Sequence, residues 1–352
     1  MIKPKNLLIV RTDRIGDVVL SLPLAQIVKK NYPDCRITFL VRDYTKSLVE
    51  NHPYIDEYII LKEGNEKILL KENINKLKKY SFDSSIIVYP TFITSLIIYL
   101  SGIDYRIGTG YRWYSALFNH KVYEHRKYAE RHELEFNVNL LKELGIEERV
   151  DPGNVQFDLQ INKESEKRIV KILDDNNIDT HKPVIILHPG SGGSSVDWPL
   201  YKFKELVESL LKSTLGWQII ITGNKEEKKI CDELIINQDV KNLAGLFNLS
   251  ELTALISKTN LFVSNSTGPL HIAAALGKYT VSFYPRLLAC SAKRWGPYTN
   301  KSVVFSPNIK CSDCTKERCD SLDCMSSIQV TDVFGEIEKI HKFVLNNGEI
   351  NA

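Results

Sequence analysis

The sequence predicts an α/β protein made of two successive doubly wound units, and three observations predict it. Short runs rich in Val, Ile, Leu and Phe alternate with amphipathic segments along nearly the whole chain, the pattern of parallel strands joined by crossover helices. The alternation weakens between residues 151 and 182 and then restarts, which places a link between two halves. The length, 352 residues, is ample for two cores at roughly 100–200 residues per domain.

In the first half, Asn6-Leu7-Leu8-Ile9-Val10 reads as a buried strand. Val18, Leu22, Ala25 and Val28 then recur at helical spacing, with Pro23 set to interrupt that helix. Residues 36–41, 57–61 and 84–89 read as further strands, and 105–108 as a short one leading into a loop. Residues 133–144 read as a helix ending at Gly145, and 163–174 as a polar amphipathic helix within the link. In the second half, strands are expected at 184–187, 217–221, 242–243, 261–263 and 280–284. Helices are expected at 200–211, 226–236, 250–257, 271–276 and 333–344. The domains are drawn at 1–165 and 166–330, with a closing helix and tail, 331–352, expected to pack back on the N-terminal domain.

Composition narrows the class of protein. Hydrophobic residues make up 43% and charged residues 25%, ordinary values for a soluble globular chain, which exclude disorder, collagen and coiled coil as the dominant state. Lys and Arg number 46 against 43 Asp and Glu, a net charge of +3 that argues against nucleic-acid binding across the surface. Residues 1–150 carry +4 and the remainder −1. The most apolar run, residues 86–100, is interrupted by Pro90, Thr91, Thr94 and Ser95. Its fifteen residues fall short of the roughly 20 that span a bilayer, so no transmembrane segment is expected. An odd count of seven cysteines, with no leader read at the N-terminus, points to a reducing cytoplasm. Peripheral contact with the inner face of the cytoplasmic membrane stays open.

Three strand-to-helix loops carry the candidate chemistry. The first, Val10-Arg11-Thr12-Asp13-Arg14-Ile15-Gly16-Asp17, concentrates charge at the mouth of a buried strand. Asp17 is placed as a helix N-cap, worth about 1 kcal/mol, and a carboxylate at this edge is equally suited to be a general base. There is no GxGxxG, which weighs against a dinucleotide oxidoreductase. The second, His188-Pro189-Gly190-Ser191-Gly192-Gly193-Ser194-Ser195, offers glycines and hydroxyls where a phosphate approaches backbone N–H groups, or is simply a flexible connection. The third, Ser264-Asn265-Ser266-Thr267-Gly268-Pro269-Leu270-His271, presents a hydroxyl and bare N–H groups at a helix N-terminus, a place that favours a pyrophosphate.

Taken together, IVRTDRIGDVVLSLPL, HPGSGG with its following WP, TGNKEE, LAGLFNLSEL, SNSTGPLHIAAALG and CSDC with its following cysteines resemble glycosyltransferase family 9, the ADP-heptose:lipopolysaccharide heptosyltransferases, over nearly the whole chain. The resemblance implies a GT-B fold, two Rossmann-like domains facing a central cleft, with the acceptor on the N-terminal side and a nucleotide-sugar on the C-terminal side. It implies inverting, metal-independent transfer of heptose or a related sugar from an ADP-sugar to a lipopolysaccharide core or related surface glycan. Asp17 matches the family's base. Ser191 and Gly192 match donor-phosphate contacts, Glu227 the acidic residue that reaches the ribose (with Glu226 an equal candidate), and Phe247 an apolar position beside the nucleobase. Ser266, Thr267, Gly268 and His271 match the diphosphate-binding turn, while Arg11, Asp13, Arg14 and Arg112 fall to the acceptor. The chain departs from the family twice: Val196 stands where heptosyltransferases I carry Lys, and Ser266 where an Asp is usual. Those departures leave the donor sugar open, with Lys225, Lys293 or Arg294 as candidates for the missing charge, and keep a non-catalytic or differently specific nucleotide-sugar-binding protein as the alternative.

Between Tyr105 and His132, six cationic residues interleave with Tyr111, Trp113, Tyr114, Phe118, Tyr123 and Tyr128. The stretch is either a solvated loop region or a face for a lipid-linked, anionic saccharide at the membrane surface. Cys311, Cys314, Cys319 and Cys324 have a spacing compatible with a structural zinc, or are plain reduced cysteines. No cofactor is expected for catalysis, and no nucleic-acid partner.

Overall fold

Leu7, Leu8, Ile9 and Val10 are all fully buried, as a central parallel strand covered on both faces requires. They form β1 (Asn6–Val10), around which the first unit is built. The structure, a computed structural model, describes residues 2–65, 67–309 and 323–346. The chain divides into two compact units between Gln160 and Ile161.

In the first unit β1 leads to α1 (Ile15–Val19) and α2 (Pro23–Asn31), the two helices separated where Pro23 has no N–H to continue the ladder. There follow β2 (Arg36–Val41), β3 (Glu57–Ile60), and the small antiparallel pair β4 (Glu63–Gly64) and β5 (Lys67–Ile68). After these come α3 (Leu70–Leu77), β6 (Ser84–Ile87), α4 (Phe92–Leu100), β7 (Tyr105–Thr109), β8 (His120–Val122) and α5 (Glu133–Asn139). The helix read over 133–144 changes to a tighter 3-10 turn at residues 140–144 and stops at Gly145, whose φ of +79° suits glycine. The sheet order is β3-β2-β1-β6-β7-β8, with every neighbouring pair parallel.

The second unit repeats the design. It comprises α6 (Lys163–Asp175), β9 (Val184–His188), α7 (Leu200–Lys212), β10 (Gln218–Ile221), α8 (Lys228–Asp232), β11 (Val240–Asn242) and α9 (Leu249–Ser257). It continues through β12 (Leu261–Asn265), α10 (Gly268–Ala275), β13 (Tyr279–Phe283), α11 (Ala292–Trp295), β14 (Ser302–Phe305) and α12 (Val330–Asn346). Its sheet order is β11-β10-β9-β12-β13-β14, again all parallel.

Two boundaries differ from the sequence reading. The division falls before Asn162, which caps α6 by accepting from the N–H groups of Glu164 and Ser165, rather than inside that helix at residue 165. The closing helix was expected to pack back on the N-terminal domain. The helix belongs to the second unit, where Val333, Ile337, Ile340 and Val344 of α12 join Leu206, Val207 and Leu210 of α7 in the core.

In each sheet the strand order reverses beside the first strand of its unit, between β1 and β6 and between β9 and β12. Ligands of open α/β sheets bind beyond the carboxyl ends of the strands at such points. All three loops singled out in the sequence follow one of these strands.

Candidate active site

In the first unit the chain leaves β1 at Arg11, whose guanidinium is completely buried. A charge so placed needs charged or polar partners. Its Nε lies 2.8 Å from Asp13 Oδ1, its Nη2 bonds Asp17 Oδ1, and Glu133 Oε1 stands 3.7 Å from the same Nη2. Glu133 and Asn137 come from one face of α5, a turn apart. Arg126 bonds Glu133 and reaches Asn137 Oδ1 at 3.1 Å, while Asn137 Nδ2 donates to the carbonyl of Leu20 at 3.1 Å. The ring of Tyr89, just beyond β6, lies over the Arg11 guanidinium with its centroid 5.9 Å away.

Burial alone would depress the Arg11 pKa, but the surrounding carboxylates outweigh it and raise it, so the residue is a fixed cation. Burial pushes the Asp13 carboxyl up to about 7 against the pull of Arg11. The Asp17 side chain keeps 14% of its surface exposed and one carboxylate oxygen on Arg11. The arrangement holds a carboxylate rigidly at the strand mouth with a face open to solvent. That is what a general base requires.

Two expectations change here. Asp17 is not the cap of its helix: Arg14 occupies that position with extended backbone, and Asp17 sits three residues on, in the first turn. Arg11 has no surface to offer an acceptor; it ties carboxylates together from inside. Asp13 remains partly open, and Arg14 is exposed at the rim. Arg112 is exposed on a separate loop after β7, where its N–H donates to Ser115 Oγ at 3.0 Å. Glu133, Asn137 and Tyr89 were not anticipated. A carboxylate and an amide at i and i+4 on an otherwise apolar helix face was the signal in the first two cases.

In the second unit the loop after β9 is made of backbone and hydroxyls. Gly192 and Gly193 have φ of +57° and +72°, successive left-handed positions that suit glycine. Ser191 Oγ is buried and makes no hydrogen bond among the described residues. Glu227 straddles two loops: Oε1 accepts from the Gly192 N–H at 3.3 Å and Oε2 from the Asn224 N–H at 2.9 Å. It lies so close to the chain that a methyl at Gly190 would fall 2.0 Å from Oε1. Glu226, its equal by sequence, is exposed, whereas Glu227 is half-buried between the two loops. His188 Nδ1 pairs with Thr222 Oγ1 at 2.9 Å, and burial pushes this imidazole down to about 4, keeping it neutral.

The turn after β12 meets the same loop. Ser194 Oγ donates to the Ser266 carbonyl at 2.8 Å, and Asn265 bridges the loop's two ends, accepting from the Trp198 N–H at 2.7 Å and donating to the Pro189 carbonyl at 2.6 Å. Thr267 is the N-cap of α10, yet its side chain makes no capping bond, and Gly268 follows it. His271 is buried in the first turn of that helix. Ser191, Gly192, Glu227 and Ser266 are thus joined by bonds, Thr267, Gly268 and His271 continue the same turn, and Phe247 is half-buried on the loop after β11. Asn265 was not anticipated; it sat inside a recognised loop, but its two-ended role depends on a partner loop far away in sequence. Cys290 Sγ reaches the Ser194 carbonyl at 3.7 Å, which brings the segment carrying Lys293 and Arg294 beside this loop. Val196 packs against the apolar core. Cys311, Cys314 and Cys319 lie outside the described residues, Cys324 is buried in the second core, and no group of three or more metal-ligating side chains occurs among the described residues.

Two Rossmann-like domains with polar loops at both switch points place the protein in the GT-B class of glycosyltransferases. The family model "Glycosyltransferase family 9 (heptosyltransferase)" matches residues 72–325, and the chain belongs to that family. A Haemophilus influenzae protein named only as a glycosyltransferase is 27% identical over 309 residues, 86% of this chain and 89% of that one. The lipopolysaccharide heptosyltransferase 1 of Campylobacter coli is 24% identical over 94% of this chain and 98% of its own length. The solved structure of Escherichia coli ADP-heptose lps heptosyltransferase II superposes with a TM-score of 0.77 at 20% identity, covering 96% of this chain and 98% of that one.

Proposed function

We propose that this glycosyltransferase transfers heptose, or a related sugar, from an ADP-sugar to a lipopolysaccharide core or related surface-glycan acceptor by a single inverting displacement that needs no catalytic metal. The observation that carries the reading is the Asp17 carboxylate, clamped by a buried guanidinium yet open on one side. Asp17 takes the proton of an acceptor hydroxyl as that oxygen attacks the anomeric carbon; the bond to the diphosphate breaks on the opposite face. Asp13, Arg14 and Arg112 are the acceptor contacts in this reading, at the cytoplasmic side of a membrane that displays a lipid-linked saccharide.

The donor lies on the second unit. The Gly268 N–H and the hydroxyls of Ser191 and Thr267 meet the diphosphate beside Gly192, whose own N–H is held by Glu227, with His271 alongside, Glu227 on the ribose and Phe247 beside the base. Preoriented dipoles of this kind favour the leaving charge before reaction begins. Where a lysine is absent at position 196, Lys293 or Arg294 supplies the cation, because their segment adjoins the Ser191–Ser195 loop. A second reading, a donor other than ADP-heptose, is favoured by one observation: Val196 is given over to core packing, so no cation can come from that position.

Asp17→Asn tests the base. It should retain fold and donor binding while transfer falls by about 100-fold or more, the usual contribution of a general base. Near-normal turnover in that variant overturns the assignment. A melting-temperature screen across ADP-, UDP-, GDP- and CMP-sugars decides the donor, since a ligand raises stability by mass action.

A further inference from the structure

α4 buries Ile97 and Ile98 in the core of the first unit and still leaves an apolar stripe on its outer face. Its hydroxyl residues Thr94 and Ser95 face inward, both bonded to the Thr91 carbonyl, at 3.1 and 2.7 Å. Phe92, Ile93, Tyr99 and Leu100 face out, with Leu96 half-exposed among them. No charged residue occurs between Asp83 and Asp104. Beside this stripe stands Trp113, 78% exposed, its ring 4.7 Å from that of Phe92. A contiguous apolar patch on a soluble protein marks an interaction surface.

We propose that this face of α4, with Trp113, seats the first unit on an anionic phospholipid bilayer. Three features select that occupant. The helix has nine residues, too short to span and suited to lie flat at the boundary of headgroups and acyl chains. Trp and Tyr, amphipathic rings with a polar tip, predominate at its edge, as at membrane interfaces. Cations stand at its rim: Arg112 is exposed directly beside Trp113, and the Arg106 guanidinium lies over the Tyr99 ring, 5.1 Å from its centroid. The patch also adjoins the chemistry: Tyr114 OH donates to the Pro90 carbonyl at 2.7 Å, and the neighbouring Tyr89 ring covers Arg11. An acceptor hydroxyl presented at a lipid surface would thus meet Asp17 at the edge of the seated face. The purpose of the seat rests on the acceptor being lipid-linked, but the test uses neither donor nor acceptor, so the two readings fail separately.

The full chain is mixed with phosphatidylglycerol/phosphatidylethanolamine vesicles or with phosphatidylcholine vesicles, and followed by co-sedimentation and tryptophan emission. Trp198 and Trp217 are buried and Trp295 is half-buried, so Trp113 dominates any environmental change. Binding to the anionic vesicles with a blue shift is expected, and Trp113→Phe should remove the shift while leaving binding in place. Ile93→Ser with Leu100→Ser should weaken binding by about tenfold or more through lost apolar contact, with melting temperature and nucleotide binding unchanged. Absence of binding overturns the proposal. So does binding that the double variant leaves untouched, because charge alone would then account for it. Concentration-dependent dimerisation that the same variant abolishes, without vesicle binding, would assign the face to a second copy of the chain and equally overturn it.

Discussion

The two polar centres of this molecule solve opposite problems at equivalent places in the same fold. Beyond β1, a buried arginine is surrounded by three carboxylates supplied by the loop, by α1 and by α5. Beyond β9 and β12, the lining is backbone N–H, glycine and hydroxyl, with one carboxylate held across it by two N–H groups. The first arrangement surrounds a buried fixed charge with the protein's own counter-charges. The second is lined by oriented dipoles, which suit an anionic ligand. The doubly wound unit was used twice, and what differs is whether the polar lining is built from charged side chains or from backbone and hydroxyl dipoles.

The largest effect that can break this comparison is removal of the resident cation. Arg11→Met leaves Asp13 and Asp17 desolvated without their counter-charge, while Arg126 stays paired with Glu133, and should cost about 3–5 kcal/mol of stability. Urea unfolding measures it, and nucleotide binding by the second unit should persist at denaturant concentrations where the first unit is still folded. Arg11→Lys should recover part of the loss, because an ammonium cannot reach all three carboxylates with the geometry of a guanidinium fork. An unchanged midpoint in Arg11→Met would mean that the cluster is hydrated and that the contrast with the second unit is false.

A smaller effect tests the second centre. Gly190→Ala pushes a methyl against Glu227 Oε1, and the flexible carboxylate yields before the backbone does. The fold should survive, while nucleotide affinity falls by about tenfold as the bonds to Gly192 and Asn224 are lost, on the order of 1.4 kcal/mol. In a Glu227→Ala background the same glycine substitution should cost almost nothing, since contacting residues couple and the cycle reports that coupling. Equal losses in both backgrounds would show that the close approach at Gly190 is irrelevant to binding.

The sheets were legible because buried parallel strands are continuous apolar runs; β1 and β2 fall where the pattern places them. The edge strands β8 and β14 were not, since His120-Lys121-Val122 and its counterpart are short and only half-covered. α4 escaped because its β-branched and aromatic residues carry no helical polar face, the very property that makes its surface unusual. Within the site, the glycine and hydroxyl loops could be read from local sequence, as could Asp17. The clamp could not: Glu133 and Asn137 reach Arg11 from more than a hundred positions away, and nothing near Arg11 in sequence reveals that it is buried. The cap reading of Asp17 failed for a different reason: the helix starts at Ile15 with Arg14 as its cap, which puts Asp17 inside the first turn.

The finest distinction between the centres is their response to pH. Asp13 titrates at about 7 in the folded chain against 3.8 ordinarily, raised by burial. The folded state therefore holds a proton that the unfolded state has lost, and this group's contribution is fully present below 3.8 and disappears as pH rises through 7. His188 behaves in the reverse sense: burial lowers it from 6.5 to about 4, so its contribution is present above 6.5 and is lost as pH falls through 4. In the native chain the two slopes oppose each other across the shared window. Asp13→Asn should remove the falling arm and leave stability rising with pH between about 4 and 6.5, while His188→Asn should leave it falling toward pH 7. Each slope is on the order of 1 kcal/mol per pH unit, bounded by the 1.4 kcal/mol that one proton allows. Urea midpoints taken at half-unit intervals resolve slopes of that size. If both variants kept the native pH profile, neither group would be as desolvated as its position in its sheet requires, and the two centres would differ in composition without differing in electrostatics.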